Sequence, residues 1–121
     1  MTYESASTVE SRVAPGVRFR VARMSFGRRM ELMRRIRELA RRTEFLEAGN
    51  EPGDKMDAAL AEAEIERVYA AWGLQAVEGL ELDGAPATPE SLADLGPEEL
   101  FREAVAAVRA EAGLSEAERK N

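Results

Sequence analysis

Apolar residues along the chain switch between two periods, and the switches mark the predicted elements. Val17-Arg18-Phe19-Arg20-Val21 alternates strictly, which predicts a β-strand with one apolar and one charged face, opened by Pro15-Gly16. From Phe26 the period lengthens. Leu32, Ile36, Leu39, Thr43 and Leu46 form one stripe, widened by Met33 and Ala40, and predict a helix from about Phe26 to Ala48. Ser25 stands where a cap is needed and Gly49 where the helix should stop. Arg34, Arg35, Arg37, Arg41 and Arg42 are assigned to the opposite side. After the loop Asn50-Glu51-Pro52-Gly53, Asp54 is expected to cap a second helix reaching Trp72. Its buried side is Ala61, Ile65, Val68, Tyr69 and Trp72, with Leu60 beside it, and Gly73-Leu74 reads as its C-terminal cap.

A second alternating run, Leu80-Glu81-Leu82-Asp83, is closed by Gly84 and Pro86. Pairing it antiparallel with residues 17–21 puts Val17, Phe19 and Val21 on one face with Leu80 and Leu82. Arg18 and Arg20 then meet Glu81 and Asp83 on the other. A two-stranded ribbon is marginal alone, so it must lie on the helices or gain strands from a partner. Thr88-Pro89 predicts a short helix ending near Gly96. Pro97 starts another, with Phe101, Val105, Val108 and Ala112 on one stripe and Gly113-Leu114 at its end. Ser115-Glu116-Ala117-Glu118 spells a further capping box. Residues 1–14, polar with Ser5, Ser7, Thr8 and Ser11, read as a flexible arm. The expected fold class is mainly α: a small helical domain of three to four helices with a short two-stranded antiparallel β-ribbon. That domain is expected to span 15–114, followed by a tail at 115–121.

Composition narrows the chemistry. A chain of 121 residues suits one core, and 45% hydrophobic with 33% charged residues is ordinary for a globular protein. No apolar run nears the ~20 residues of a membrane span, and Met1-Thr2-Tyr3-Glu4 lacks a signal peptide's basic start and apolar stretch. No membrane association is expected. Cysteine and histidine are both absent, which removes disulfides, thiolate chemistry, sulfur-ligated metals and the usual general base. Among the carboxylates, Glu62 and Glu66 share a helix face as many solvated pairs do. Asp54 with Asp57, and Glu81 with Asp83, lack the oxygen-rich loop of a calcium site. The glycines form no phosphate loop. The expectation is a protein without catalytic residues, cofactor or metal.

Charge divides the chain. Residues 12–42 hold eleven arginines against Glu31 and Glu38, a balance of +9, whereas residues 43–121 hold six basic and nineteen acidic residues. Arg28, Arg35 and Arg42 recur every seven residues, with Arg34 and Arg41 as a neighbouring row. Such a stripe suits either a polyanion or an acidic protein surface. It contains no aromatic residue for base stacking, no nucleic-acid-binding motif surrounds it, and the net charge is −6. Protein contacts are therefore expected ahead of nucleic acid, through Arg28, Arg34, Arg35, Arg41 and Arg42. Tyr69, Trp72 and Phe101 sit on helical apolar stripes, where core packing outweighs the reading as interface anchors.

Two stretches carry a family resemblance. The first is Pro15 to Val21, followed by Met24-Ser25-Phe26-Gly27-Arg28-Arg29 and the Glu31-Leu32 helix. The second runs from Glu64-Ile65-Glu66-Arg67-Val68-Tyr69 through Trp72-Gly73 and Gly79-Leu80-Glu81-Leu82-Asp83-Gly84-Ala85-Pro86-Ala87-Thr88-Pro89-Glu90 to Leu95-Gly96-Pro97-Glu98-Glu99-Leu100. Over about three quarters of its length the chain resembles the small tail assembly chaperones of tailed bacteriophages and prophages. The resemblance implies a non-enzymatic protein of the bacterial host cytoplasm that binds the tape measure and tail tube proteins during assembly. Many proteins of that kind are also made in a second, longer form by frameshifting; whether this chain is, and whether it forms a homo-oligomer, the resemblance leaves open. Two rivals stand beside it: a small nucleic-acid-binding or regulatory phage protein using the arginine helix, and a structural tail or connector subunit.

Overall fold

The computed structural model describes residues 1–49 and 51–113. In chain order the elements are β1 (Ala6–Glu10), β2 (Arg18–Ala22), α1 (Phe26–Glu47), α2 (Pro52–Gly73), β3 (Leu74–Glu78), β4 (Glu81–Leu82), β5 (Ala85–Pro86), α3 (Pro89–Leu95) and α4 (Glu98–Ala112). The protein is mainly α with short antiparallel β-structure, in agreement with the patterning. The single domain expected over 15–114 divides into two compact units, residues 1–24 with 69–113 and residues 25–68. α1 and α2 as far as Val68 belong to the second unit, and the last residues of α2, from Tyr69, belong to the unit that holds the sheet. The predicted tail at 115–121, with its capping box, lies outside the described residues.

The sheet is where prediction and structure differ. β2 does not pair with residues 79–83; it is the centre of a three-stranded antiparallel sheet ordered β1-β2-β3. The arm expected at 1–14 supplies β1, in the register Ala6↔Ala22 to Glu10↔Arg18. Leu74–Glu78 supplies the other neighbour, with Phe19↔Val77 and Val21↔Leu74. The register shifts between Arg20 and Val21, so Gln75 is an extra residue in β3 and the strand bulges. The bulge lets Leu74 and Val77, three positions apart, both face the core, which is why simple alternation does not reveal this strand. On the solvent face Arg18 meets Glu78 (Nη2–Oε2 3.3 Å), and Arg20 Nε donates to Gln75 Oε1 at 3.3 Å. The run at 80–83 instead folds on itself. Asp83 and Gly84 take φ of 52° and 82°, a two-residue turn that pairs β4 with β5 as a separate hairpin.

The first unit closes its core with helices. Val17, Phe19, Val21, Leu74 and Val77 are buried on the sheet, and α4 packs on β2 and β3 with Leu100, Ala104, Val105, Val108 and Ala112 buried. The buried stripe of α4 runs through Leu100 in four-residue steps, which leaves Phe101 half-buried at its flank rather than in the core. Tyr69 and Trp72, at the end of α2, are core residues, and Arg109 stacks on the Tyr69 ring at 4.7 Å. A Cβ at Gly73 would come within 2.5 Å of Val108 Cγ1, so α2 ends against α4 at a distance only glycine permits. Gly79 (φ 79°) likewise lies against the Gly16 carbonyl at the end of the β2–β3 ladder. Thr88 caps α3 as predicted, and Ser91 makes the cap reciprocal: Ser91 N–H donates to Thr88 Oγ1 at 3.0 Å, and Thr88 N–H donates to Ser91 Oγ at 2.8 Å.

One polar clasp ties the β1–β2 turn to α4. The Glu103 carboxylate accepts from the Ser11 hydroxyl at 2.5 Å, from Arg12 N–H at 2.7 Å and from Val13 N–H at 3.3 Å. Ser11 Oγ in turn accepts from Ala14 N–H at 2.9 Å, and Ser11 N–H donates to Val17 O at 2.9 Å. Burial pushes the Glu103 carboxyl upward, but the three donors and the nearby Arg12 charge outweigh it and hold it below the usual carboxylate range. This clasp and the β2 ladder order the segment that composition marks as a loose arm.

Candidate functional site

The second unit carries the arginine helix. Ser25 is extended (φ −133°, ψ 169°) and its Oγ accepts from Arg28 N–H at 3.3 Å, so α1 starts where the cap predicts. Leu32, Ile36 and Thr43 are its buried residues, with Leu39 and Leu46 half-buried beside them. Thr43 answers burial of its hydroxyl by donating to Leu39 O at 2.8 Å. α2 as far as Val68 also belongs to this unit. This helix begins at Pro52, so Asp54 lies in its first turn rather than at the cap, and Ala58, Ala61 and Ile65 are buried along it.

Opposite the buried stripe, Arg34, Arg35, Arg41 and Arg42 are exposed, as the periodicity predicts, while Arg28 is half-buried near the helix start. Arg37 departs from the expected placement: it is half-buried, and its Nε is shielded without an acceptor among the described residues. At 100° per residue it falls on the flank toward Met33 and Ala40, both half-buried, not between the two arginine rows. The basic face is also interrupted. Glu31 and Glu38 are exposed on it, and Arg35 Nη2 is held by Glu31 Oε1 at 2.8 Å one turn away. Arg42 lines a small recess of about 100 Å³ with Asp57, Leu60, Ala61 and Glu64 of α2. Two carboxylates thus share a recess with an arginine of the heptad row, which weakens its pull on a phosphate.

Large apolar side chains complete this surface, and hydrophobic pattern alone does not single them out. Phe45 is 79% exposed, and it follows Arg42 and Arg41 by three and four residues, one turn along the same face of α1, so the basic face does carry an aromatic side chain, contrary to the expectation from the arginine rows. On α2, Met56 is 67% and Leu60 58% exposed, also one turn apart. Leu60 and Arg42 meet at the recess, so the exposed faces of the two helices join there. Leu60, expected beside the buried side of α2, therefore belongs to solvent. Its helical phase is the available signal: it follows Met56 by four and lies out of step with Ala58, Ala61 and Ile65.

Other candidate chemistry does not assemble. Among the described residues no group of three or more acidic side chains comes together as a metal ligand set. Glu62 is exposed and Glu66 half-buried on α2, and Asp83 is committed to the β4–β5 turn. Among the described residues no helix is long and apolar enough to cross a membrane. Compared with known proteins, the chain matches no family model, no curated protein and no solved structure.

Proposed function

We propose that the chain is a non-enzymatic protein-binding subunit, acting as a phage tail assembly chaperone for the tape measure and tail tube proteins in the bacterial cytoplasm. The observation that carries protein binding is that exposed Phe45 shares a face of α1 with Arg41 and Arg42, and exposed Leu60, one turn from exposed Met56 on α2, lines the recess that Arg42 enters. Apolar anchors next to cations suit a partner helix with an apolar face and acidic flanks, because burial of the former adds to pairing with the latter. A phosphate backbone would use the arginines and leave three large side chains in water. The tail-assembly role rests on the family resemblance of the two sequence stretches.

Co-expression tests the reading. Tagged chain should retain a co-expressed phage tape measure protein, and Phe45→Ser, Met56→Ser and Leu60→Ser combined should abolish retention with helical circular dichroism unchanged. If the triple variant retains the client, the surface is wrong. Micromolar binding of duplex DNA or single-stranded RNA, with a steep salt slope lost when Arg34, Arg35, Arg41 and Arg42 become Ala, would favour the nucleic-acid rival. Stoichiometric presence in finished particles would favour a structural subunit.

A further inference from the structure

Among the described residues the sheet has an unpaired edge at β1. Arg23 N–H donates to Ser5 O at 2.8 Å and Ser11 N–H to Val17 O at 2.9 Å, both in the register of the β1–β2 ladder. Antiparallel pairing alternates, so Ser7 and Val9 also turn their backbone groups toward β2. The N–H and C=O of Ala6, Thr8 and Glu10 therefore point out of the sheet, and β1 is an edge strand. Thr8, Val9 and Glu10 are exposed there. Natural edges are blunted by proline, lysine or bulges, and β1 has no proline, no lysine and a regular register with β2.

We propose that this edge pairs with β1 of a second copy of the chain, joining two three-stranded sheets into one antiparallel sheet. Charge selects both partner and register. A two-fold pairing centred on Thr8 sets Thr8 against Thr8, and Ala6 against Glu10 of the other copy. It also brings Glu4, two residues before β1, to Arg12 of the other copy, two residues after its β1. Both are exposed, and the symmetry makes the Glu4–Arg12 pair occur twice. Sliding by one hydrogen-bonded step in one direction would instead set Glu4 against Glu10, and in the other would set Arg12 against Ala6. The registry centred on Thr8 alone places opposite charges at both ends while every outward backbone group of β1 finds a partner. Val9, on the face of Phe19 but only partly covered, would be sheltered by the added strand.

Analytical ultracentrifugation of the full chain from low to high micromolar concentration should give twice the 13.3 kDa chain mass. Thr8→Pro removes an outward N–H and no β1–β2 bond, so it should give a monomer that melts like the monomeric wild type at low concentration. Glu4→Arg and Arg12→Glu should each weaken association roughly tenfold, since two exposed pairs turn repulsive. The combined E4R/R12E chain should recover it. Because Arg12 also lies near Glu103, this recovery separates edge pairing from damage to the turn. A wild-type monomer throughout, a dimer indifferent to Thr8→Pro, or a double variant no tighter than the weaker single variant would each overturn the proposal.

Discussion

Replacing Glu103 should loosen the β1–β2 turn from α4, and its cost follows from what the carboxylate holds. Three donors lose their acceptor in Glu103→Ala: the Ser11 hydroxyl and the N–H groups of Arg12 and Val13. A hydrogen bond to a charged group contributes about 1.5–3 kcal/mol where water cannot substitute. Only the Ser11 bond is part-buried; the two backbone donors are exposed and recover much of their loss from solvent. The expected destabilisation is about 2–3 kcal/mol. Glu103→Gln keeps an acceptor but not the charge and should lose about half as much. Urea unfolding followed by circular dichroism, at constant m-value, measures both.

The acid limb gives a second readout with a definite sign. Folding lowers the Glu103 pKa, so the unfolded chain binds its proton more readily. The stabilisation is complete above the unfolded value, about 4.3, and drains away as pH falls through the lower folded value. The gap between wild type and Glu103→Gln should therefore be constant near neutrality and shrink once pH drops below about 4.5. A Glu103→Ala chain within about 0.5 kcal/mol of wild type at pH 7, the range of an ordinary surface change, would refute the clasp. So would a gap that widens in acid.

Gly73→Ala sets two effects against each other: helix propensity favours Ala by about 1 kcal/mol, but the new Cβ meets Val108 Cγ1. Val108 is fully buried and its branched side chain has one favoured helical rotamer, so overpacking of about 1–3 kcal/mol should win, read as a lower melting temperature. Asp83→Ala should lose about 1 kcal/mol in the same assay, because its φ of 52° suits Asp, Asn or Gly better than Ala, while Asp83→Gly should stay near wild type.

Helices were legible because their signals are local. Ser25, Thr88-Pro89 and Gly113 mark ends by their own backbone chemistry, and the structure places α1, α3 and α4 within a residue or so of them. Strand pairing was not legible, for two physical reasons. β1 is an edge strand with only Ala6 buried, so its sequence shows no apolar alternation, and a register clasp by Glu103, more than ninety positions away, leaves no local trace. β3 does not alternate, because the bulge at Gln75 puts Leu74 and Val77, three positions apart, on the same buried side. The run at 80–83 offered matching charges for Arg18 and Arg20, yet Asp83-Gly84 turns the chain back after two residues and a strand cannot run through that turn. Turn chemistry there outranks cross-strand charge, since a pair of exposed charges adds only a few tenths of a kcal/mol.

For the candidate site, the arginine rows could be placed from a period of seven, and their exposure follows from the stripe opposite them. What the period does not convey is which apolar residues fail to reach a core. Phe45 stands next to Leu46 in sequence, but one helical step turns it about 100° and onto the side of Arg41. Met56 and Leu60 lie off the line through Ala58, Ala61 and Ile65, whose small and branched side chains fill the buried side of α2. The rotation that makes the face of α1 basic therefore carries Phe45 into it, while Met56 and Leu60 are exposed on α2, where Leu60 lines the same recess as Arg42. A surface of that kind binds through desolvation as well as charge, so added salt should weaken its protein complexes far less than it weakens contacts with phosphate. Salt dependence, more than affinity, separates the two readings of the arginine helix.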